Sequence, residues 1–174
     1  MIKSLFKNVV VVVNSSESSI SAVKYAVILA KTYKCDVKAV YVVDTATLRQ
    51  LTLSKFFLHE ESLEYETNLV TDGERYLKYA QELGLAKGIT IQTELRKGAV
   101  WSEITACADD FDAQLVLLGG YEKEGTDLKD VISTSYRKIL RNVHCPVLVV
   151  KGKDIDNLYK MALGKICEHL FFIF

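Results

Sequence analysis

An open, doubly wound α/β fold, a five-stranded parallel sheet with helices on both faces, is what the sequence predicts. Short, unbroken β-branched runs mark strands buried on both faces. Stretches with apolar residues at helical spacing separate them. The two kinds alternate along the chain, which is the pattern of βαβ units. At 174 residues, 49% apolar and 25% charged, the chain has the size and composition of one globular domain with room for a short appendage.

The first strand is Val9 to Val13, a run too short to be a helix. Asn14-Ser15-Ser16-Glu17-Ser18-Ser19 follows, a polar turn rich in residues that cap helices. From Ile20 the period changes: Ile20, Val23, Val27 and Ala30, with Ala26 beside them, form one helical face. Val37 to Val43 is the second strand. Thr45 to Asn68 carries Leu48, Leu51, Leu53, Phe56, Phe57 and Leu58, and reads as a flap or short helix. It leads into a long helix around Leu63 to Leu83, weakened by Gly73 and stopped by Gly84 as the C′ residue.

Ile89 to Leu95 is the third strand, Ala99 to Asp110 a helix, and Leu115 to Leu118 the fourth strand. Ser133 to Asn142 is a further helix and Pro146 to Val150 the fifth strand. Residues 1–151 thus form the domain, and 152–174 a C-terminal extension. In that extension Ile155, Leu158, Ala162, Ile166 and Leu170 share one helical face ahead of Phe171-Phe172-Ile173-Phe174. Packing on its own domain or on a dimer mate is the expected use of that face.

Charge and cysteine usage exclude several classes. The 22 basic and 22 acidic side chains balance, and Arg96-Lys97 and Arg137-Lys138 are only pairs, so no nucleic-acid partner is expected. Cys35, Cys107, Cys145 and Cys167 lie far apart without zinc spacing, and buried, reduced thiols are expected. No metal site is expected. Met1 to Asn8 lacks the apolar core of a signal peptide, and no run is long enough to span a bilayer. The expected compartment is the cytoplasm.

Open α/β sheets bind ligands beyond the carboxyl ends of their strands, where the strand order reverses. Val13, Asn14 and Ser15 close the first strand, Val42 nearly closes the second, and Gly119-Gly120-Tyr121 follows the fourth. Glycines in that place permit close approach of a ligand or an unusual turn. The closing third of the chain is Leu115-Val116-Leu117-Leu118-Gly119-Gly120, Ser133-Thr134 at a helix start, and Cys145-Pro146-Val147-Leu148-Val149-Val150. With Val9 to Ser15, Tyr41-Val42-Val43-Asp44 and the Gly98 turn, it resembles the universal stress protein family over residues 6–151.

That resemblance implies an adenine nucleotide alpha hydrolase-like sheet of order 3-2-1-4-5 and a homodimer formed through the last strand. It also implies a nucleotide site around Val13, Asn14, Ser15, Val42, Gly119, Gly120, Lys123, Ser133, Thr134 and Ser135. Many members bind ATP through glycine, two residues, glycine, nine residues, then glycine and Ser or Thr. Counting from Gly120 puts Lys123 at the second glycine and Ser133 at the third, followed by Thr134. Those glycines let backbone N–H groups reach phosphate without a Cβ in the way. The loop also carries Glu122, Glu124, Asp127 and Asp130 against Lys123 and Lys129, and the family's Asp after strand one is here Asn14.

The expectation is a non-catalytic regulatory, stress-response dimer with a degenerate nucleotide site, signalling through a protein partner. The main alternative binds ATP or AMP, with Thr134 on a phosphate, Lys123 folded over it and Val42 against the base. An apolar ligand beneath Phe56-Phe57 is a third reading. Catalysis is not expected. GxxxxGK[ST], GxGxxG and GxSxG are all absent, and nothing ties His59, His144 or His169 to a nucleophile. His144 is expected at a helix C-terminus, Trp101 against the sheet, and Asp109-Asp110 in a solvated turn.

Overall fold

The computed structural model describes residues 6–54, 59–120, 134–152 and 154–162. Strand β1 (Asn8–Val13) lies at the centre of one five-stranded parallel sheet. Its neighbours are β2 (Asp36–Val43) and β4 (Leu115–Gly119), while β3 (Ile91–Lys97) and β5 (Val147–Val150) form the edges. The observed order, β3-β2-β1-β4-β5, is the one the resemblance implies. Val9 pairs with Val37 on one side and Leu115 on the other, which fixes the register of the three inner strands.

Alternation along β1 divides the core. Val9, Val11 and Val13 pack under α1 (Glu17–Tyr33) and α3 (His59–Leu85). Val10 and Val12 pack on the opposite face, with Ile104 and Cys107 of α4 (Val100–Asp110) and Ile139 of α5 (Thr134–Asn142). Trp101 lies half-buried against this second cluster. In α1, Ala22, Val23, Ala26, Val27 and Ala30 are buried at helical spacing, and the small alanines bring the helix close to the sheet. Ser16 caps its start by accepting from the Ser19 amide, and Lys34, at φ 56°, ends it in the left-handed region.

The apolar stretch after β2 forms a short helix, α2 (Thr45–Leu53), capped by Asp44 through Oδ1 at 3.0 Å from the Thr47 amide. Phe56 and Phe57 lie outside the described residues. The third strand begins two residues later than the sequence predicts, and Gly84 is not a C′ residue. The helix α3 runs through Gly84 to Leu85, and Gly88, at φ 73°, supplies the left-handed turn. A Cβ on Gly84 would meet Ile89 O at 2.7 Å and Ile91 Cγ1 at 2.8 Å. Glycine is needed there because the returning chain passes close to the helix. The strand then extends to Lys97, because Val42 and Val43 continue as partners for Arg96 and Lys97.

Arg96 is tolerated in the strand because acids surround it. Its Nε is 2.7 Å from Glu94 Oε1, its Nη2 is 2.7 Å from Asp110 Oδ2, and its Nη1 is 3.9 Å from Glu103 Oε2. Lys38 Nζ completes the network at 3.0 Å from Glu94 Oε2. Asp110 therefore belongs to an ion pair rather than simply to a solvated turn.

Gly73 has a packing cause too. A Cβ there would lie 2.6 Å from Tyr41 Cδ1 and 3.0 Å from Leu95 Cδ1. The Tyr41 ring is buried and lies parallel to Tyr76, 6.5 Å away. Alanine would favour the helix by about 1 kcal/mol. Overpacking Tyr41 outweighs this at up to about 3 kcal/mol, so Gly73→Ala is expected to lower Tm by roughly 3–6 °C. Thermal unfolding followed by circular dichroism checks this, and a higher Tm would mean that Tyr41 gives way freely.

The helix α6 (Ile155–Met161) folds back on α1 and α3. Ile155 enters the core cluster of the α1 face. The Tyr159 hydroxyl donates to Leu83 O at 2.7 Å, and Lys24 pairs with Asp156 at 2.6 Å. Lys87 Nζ donates to Ala162 O at 2.7 Å, a cation on the carbonyls of a helix C-terminus. Packing on its own domain is thus what 155–162 does, while Ile166, Leu170 and the terminal aromatics lie outside the described residues. Among the described residues, no helix is long and apolar enough to cross a membrane.

Candidate functional site

The order reverses beside β1: α1 leaves it on one face for β2, and α4 returns on the other to β4. A crevice at the carboxyl ends of β1 and β4 follows from that topology. Asn14 stands at its floor, and the sequence of the turn explains its geometry. Asn14 Oδ1 accepts from the Ser16 amide at 2.9 Å and from Ser16 Oγ at 2.6 Å. This is an Asx turn leading into the cap of α1. Buried Ser19 locks it: Ser19 Oγ accepts from the Asn14 amide at 3.2 Å and lies 2.8 Å from Asn14 O.

Above Asn14 comes Tyr136, from the first turn of α5. It packs half-buried on the Val10, Val12 and Ile139 cluster. Burial pushes the phenol pKa up, while a hydrogen bond with the Asn14 side chain works against that rise. Both oxygen lone pairs of the Asn14 amide already serve Ser16, so its contribution to this bond is an N–H.

The other expected site residues divide. Val13 is buried in the α1-side core, so its side chain points away from the α5 side of the crevice. Val42 is half-buried on the α4 and α5 face, the same face as Tyr136. Ser15 is exposed on the turn and Ser135 half-buried on α5. Lys123 and Ser133 lie outside the described residues, as does the side chain of Thr134, which opens α5.

Gly119 and Gly120 have structural causes of their own. A Cβ on Gly119 would meet Ser18 C and O at 2.5 Å and Ser19 N at 2.6 Å, because α1 starts directly against the end of β4. Gly120 donates its N–H to Val150 O at 2.8 Å, and a Cβ there would meet Lys151 Cγ at 2.3 Å. On the α1 side of these glycines, Glu17, Ser18, Ser21, Lys151 and Asp156 line a cleft of about 240 Å³. A larger cleft, about 580 Å³, lies away from the crevice between α2 and α3, beside Leu48, Arg49 and Leu63.

Burial governs the cysteine thiols. Cys107 is fully buried, and burial pushes its thiol up to about 11. Burial also raises Cys35 and Cys145. His144 lies beyond α5, which ends at Asn142, so it is not a helix residue as the sequence suggested. Among the described residues, no group of three His, Cys, Asp or Glu side chains is placed to hold a metal ion.

Tyr136 and the Ser16–Ser19 brace are the members of this site that sequence reasoning missed. The cap-rich turn carried the signal for the serines. Nothing in the local pattern around Tyr136 showed that its hydroxyl meets Asn14.

Comparison with known proteins agrees with this architecture. The model of the universal stress protein family matches residues 5–151. A universal stress protein of Methanocaldococcus jannaschii is 31% identical over 150 residues, 86% of this chain and 84% of that protein. Among solved structures, a universal stress protein family member from Burkholderia pseudomallei superposes with a TM-score of 0.65 at 20% identity, covering 87% of this chain and 100% of that one. The universal stress protein of Archaeoglobus fulgidus in complex with dAMP superposes at 0.59 with 15% identity, covering 84% and 99%. The chain belongs to the universal stress protein family.

Proposed function

We propose that this protein is a non-catalytic regulatory member of its family, whose crevice at Asn14, Val42 and Tyr136 takes an adenine nucleoside monophosphate in preference to ATP. The observation that carries this reading is the commitment of the Gly120 amide to Val150 O, with the start of α1 closed against Gly119. Backbone N–H groups that serve the fold are not open to a triphosphate. Asn14 contributes a neutral, hydrogen-bonding floor suited to a base or ribose. The dAMP complex of the Archaeoglobus fulgidus relative supports the choice of ligand class. A homodimer is part of the reading, supported by the partly exposed Leu148 and Val149 of the edge strand β5.

Calorimetric titration with AMP and with ATP plus magnesium tests it. AMP is expected to bind with Kd of order 10⁻⁴ M, about −5.5 kcal/mol, and ATP no more tightly. Phosphorus NMR of a long incubation with ATP should show no product. Tight ATP binding, or turnover lost when the crevice is altered, would reject the proposal.

A further inference from the structure

The cleft between α2 and α3 lies beyond the carboxyl ends of β2 and β3, where Thr45 and Gly98 enter its lining. At about 580 Å³ it has the capacity of a small-molecule site. Thr45, Leu48, Arg49 and Thr52 recur at helical spacing and turn one face of α2 to it; Ser62, Leu63 and Glu66 do the same from α3. A pair of hydroxyls ties the two helices. Thr52 Oγ1 donates to Leu48 O at 2.9 Å, so the proton in its 3.1 Å contact with Ser62 Oγ comes from the serine. Both hydroxyl protons are thereby spent on the fold.

What the cleft offers a ligand is apolar surface and one charge. Leu48 is buried in its wall, while Leu53 and Leu63 remain 77% and 53% exposed. An apolar body laid along these leucines would take that surface out of water. Glu66 is already answered by Lys97, whose Nζ lies 2.9 Å from Glu66 Oε1. Arg49 enters no ion pair among the described residues. The lining therefore carries one uncompensated positive charge beside its leucines.

We propose that this cleft binds an amphipathic carboxylate, with a short to medium acyl chain along Leu48, Leu53 and Leu63 and its carboxylate on the Arg49 guanidinium. A guanidinium matches a carboxylate through two parallel N–H···O bonds. A ligand without the chain would leave the leucines in water, and one without the charge would leave Arg49 unanswered. The site is separate from the crevice, so it does not rest on the nucleotide reading.

The probe is octanoate, titrated below its micelle concentration into the full chain while backbone amides are followed by NMR. Saturable shifts are expected on α2 and around Ser62 to Glu66 of α3, with Kd of order 10⁻⁴ M. Octanol and acetate should each bind about tenfold more weakly or not at all. Arg49→Gln, at an exposed position, should stay folded by circular dichroism and weaken octanoate about tenfold while leaving octanol unchanged. Leu63→Ser should weaken both. No saturation, shifts scattered outside the cleft, octanol as tight as octanoate, or equal octanoate affinity in Arg49→Gln would each overturn the proposal.

Discussion

Gly119→Ala is expected to destabilise the protein by about 3 kcal/mol or more, the upper range of overpacking costs. The added methyl would sit 2.5 Å from the carbonyl of Ser18 and 2.6 Å from the amide of Ser19. Both are backbone atoms at the start of a helix braced by Ser16 and Ser19, so neither can swing aside as a side-chain end would. Relief requires that α1 slide off the end of β4 and carry the Asn14 turn with it. Thermal unfolding should show a drop of roughly 6–12 °C. A variant as stable as the parent would mean that α1 does not lie tight on β4. Gly120→Ala is expected to destabilise the protein as well, because its Cβ would meet Lys151 Cγ and lie 2.9 Å from the backbone oxygen of Val150.

The second large effect is expected at Arg96. Arg96→Ala removes the hydrogen bonds to Glu94 and Asp110 and leaves Glu94, two-thirds covered, with Lys38 alone. Charged hydrogen bonds and the penalty of a partly stranded carboxylate set the loss at about 2–3 kcal/mol. The pH dependence identifies the cause. Burial alone pushes the Glu94 carboxyl up, but hydrogen bonds from Lys38 and Arg96 outweigh it and hold the carboxyl below its usual range. A depressed carboxylate contributes stability that is present above the unfolded pKa and lost as pH falls through the folded one. The parent should therefore lose stability below about pH 4, and the loss should be shallower in Arg96→Ala. Chemical denaturation across pH 3–7 measures it; parallel curves for the two proteins would show that Arg96 does not set the Glu94 titration.

The fold was largely legible because its signals are local and redundant. The valine run of β1 has no alternative at that length, and the small-residue face of α1 repeats at one period. What failed were signals that depend on distant partners. Gly84 looks like a helix stop in sequence, yet its glycine answers to the chain returning at Ile89 and Ile91. Gly73 looks like a weakness in a helix, yet it makes room for Tyr41. Arg96 is a charge in an edge strand, and only the fold brings Asp110 and Glu103 to it.

For the candidate site the sequence offered an address rather than a geometry: topology and resemblance pointed to Asn14, Val42 and Gly119-Gly120, at the carboxyl ends of β1, β2 and β4. Gly119 and Gly120 were open to two readings, close approach of a ligand or an unusual turn, and each is required by the approach of another part of the same chain. Tyr136 was not singled out, because a tyrosine in a helix turn gives no sign of which strand end it will reach.

The position of α6 decides how the sheet can grow. The step from β4 to β5 moves outward across the sheet with α5 on one face, whereas α6 returns on the other, against α1. A strand laid beside β5 after α6 would close a crossover of the opposite, left-handed sense, which parallel sheets almost never use. The face on which α6 sits therefore disfavours extending the parallel sheet past Leu148 and Val149 by way of that helix.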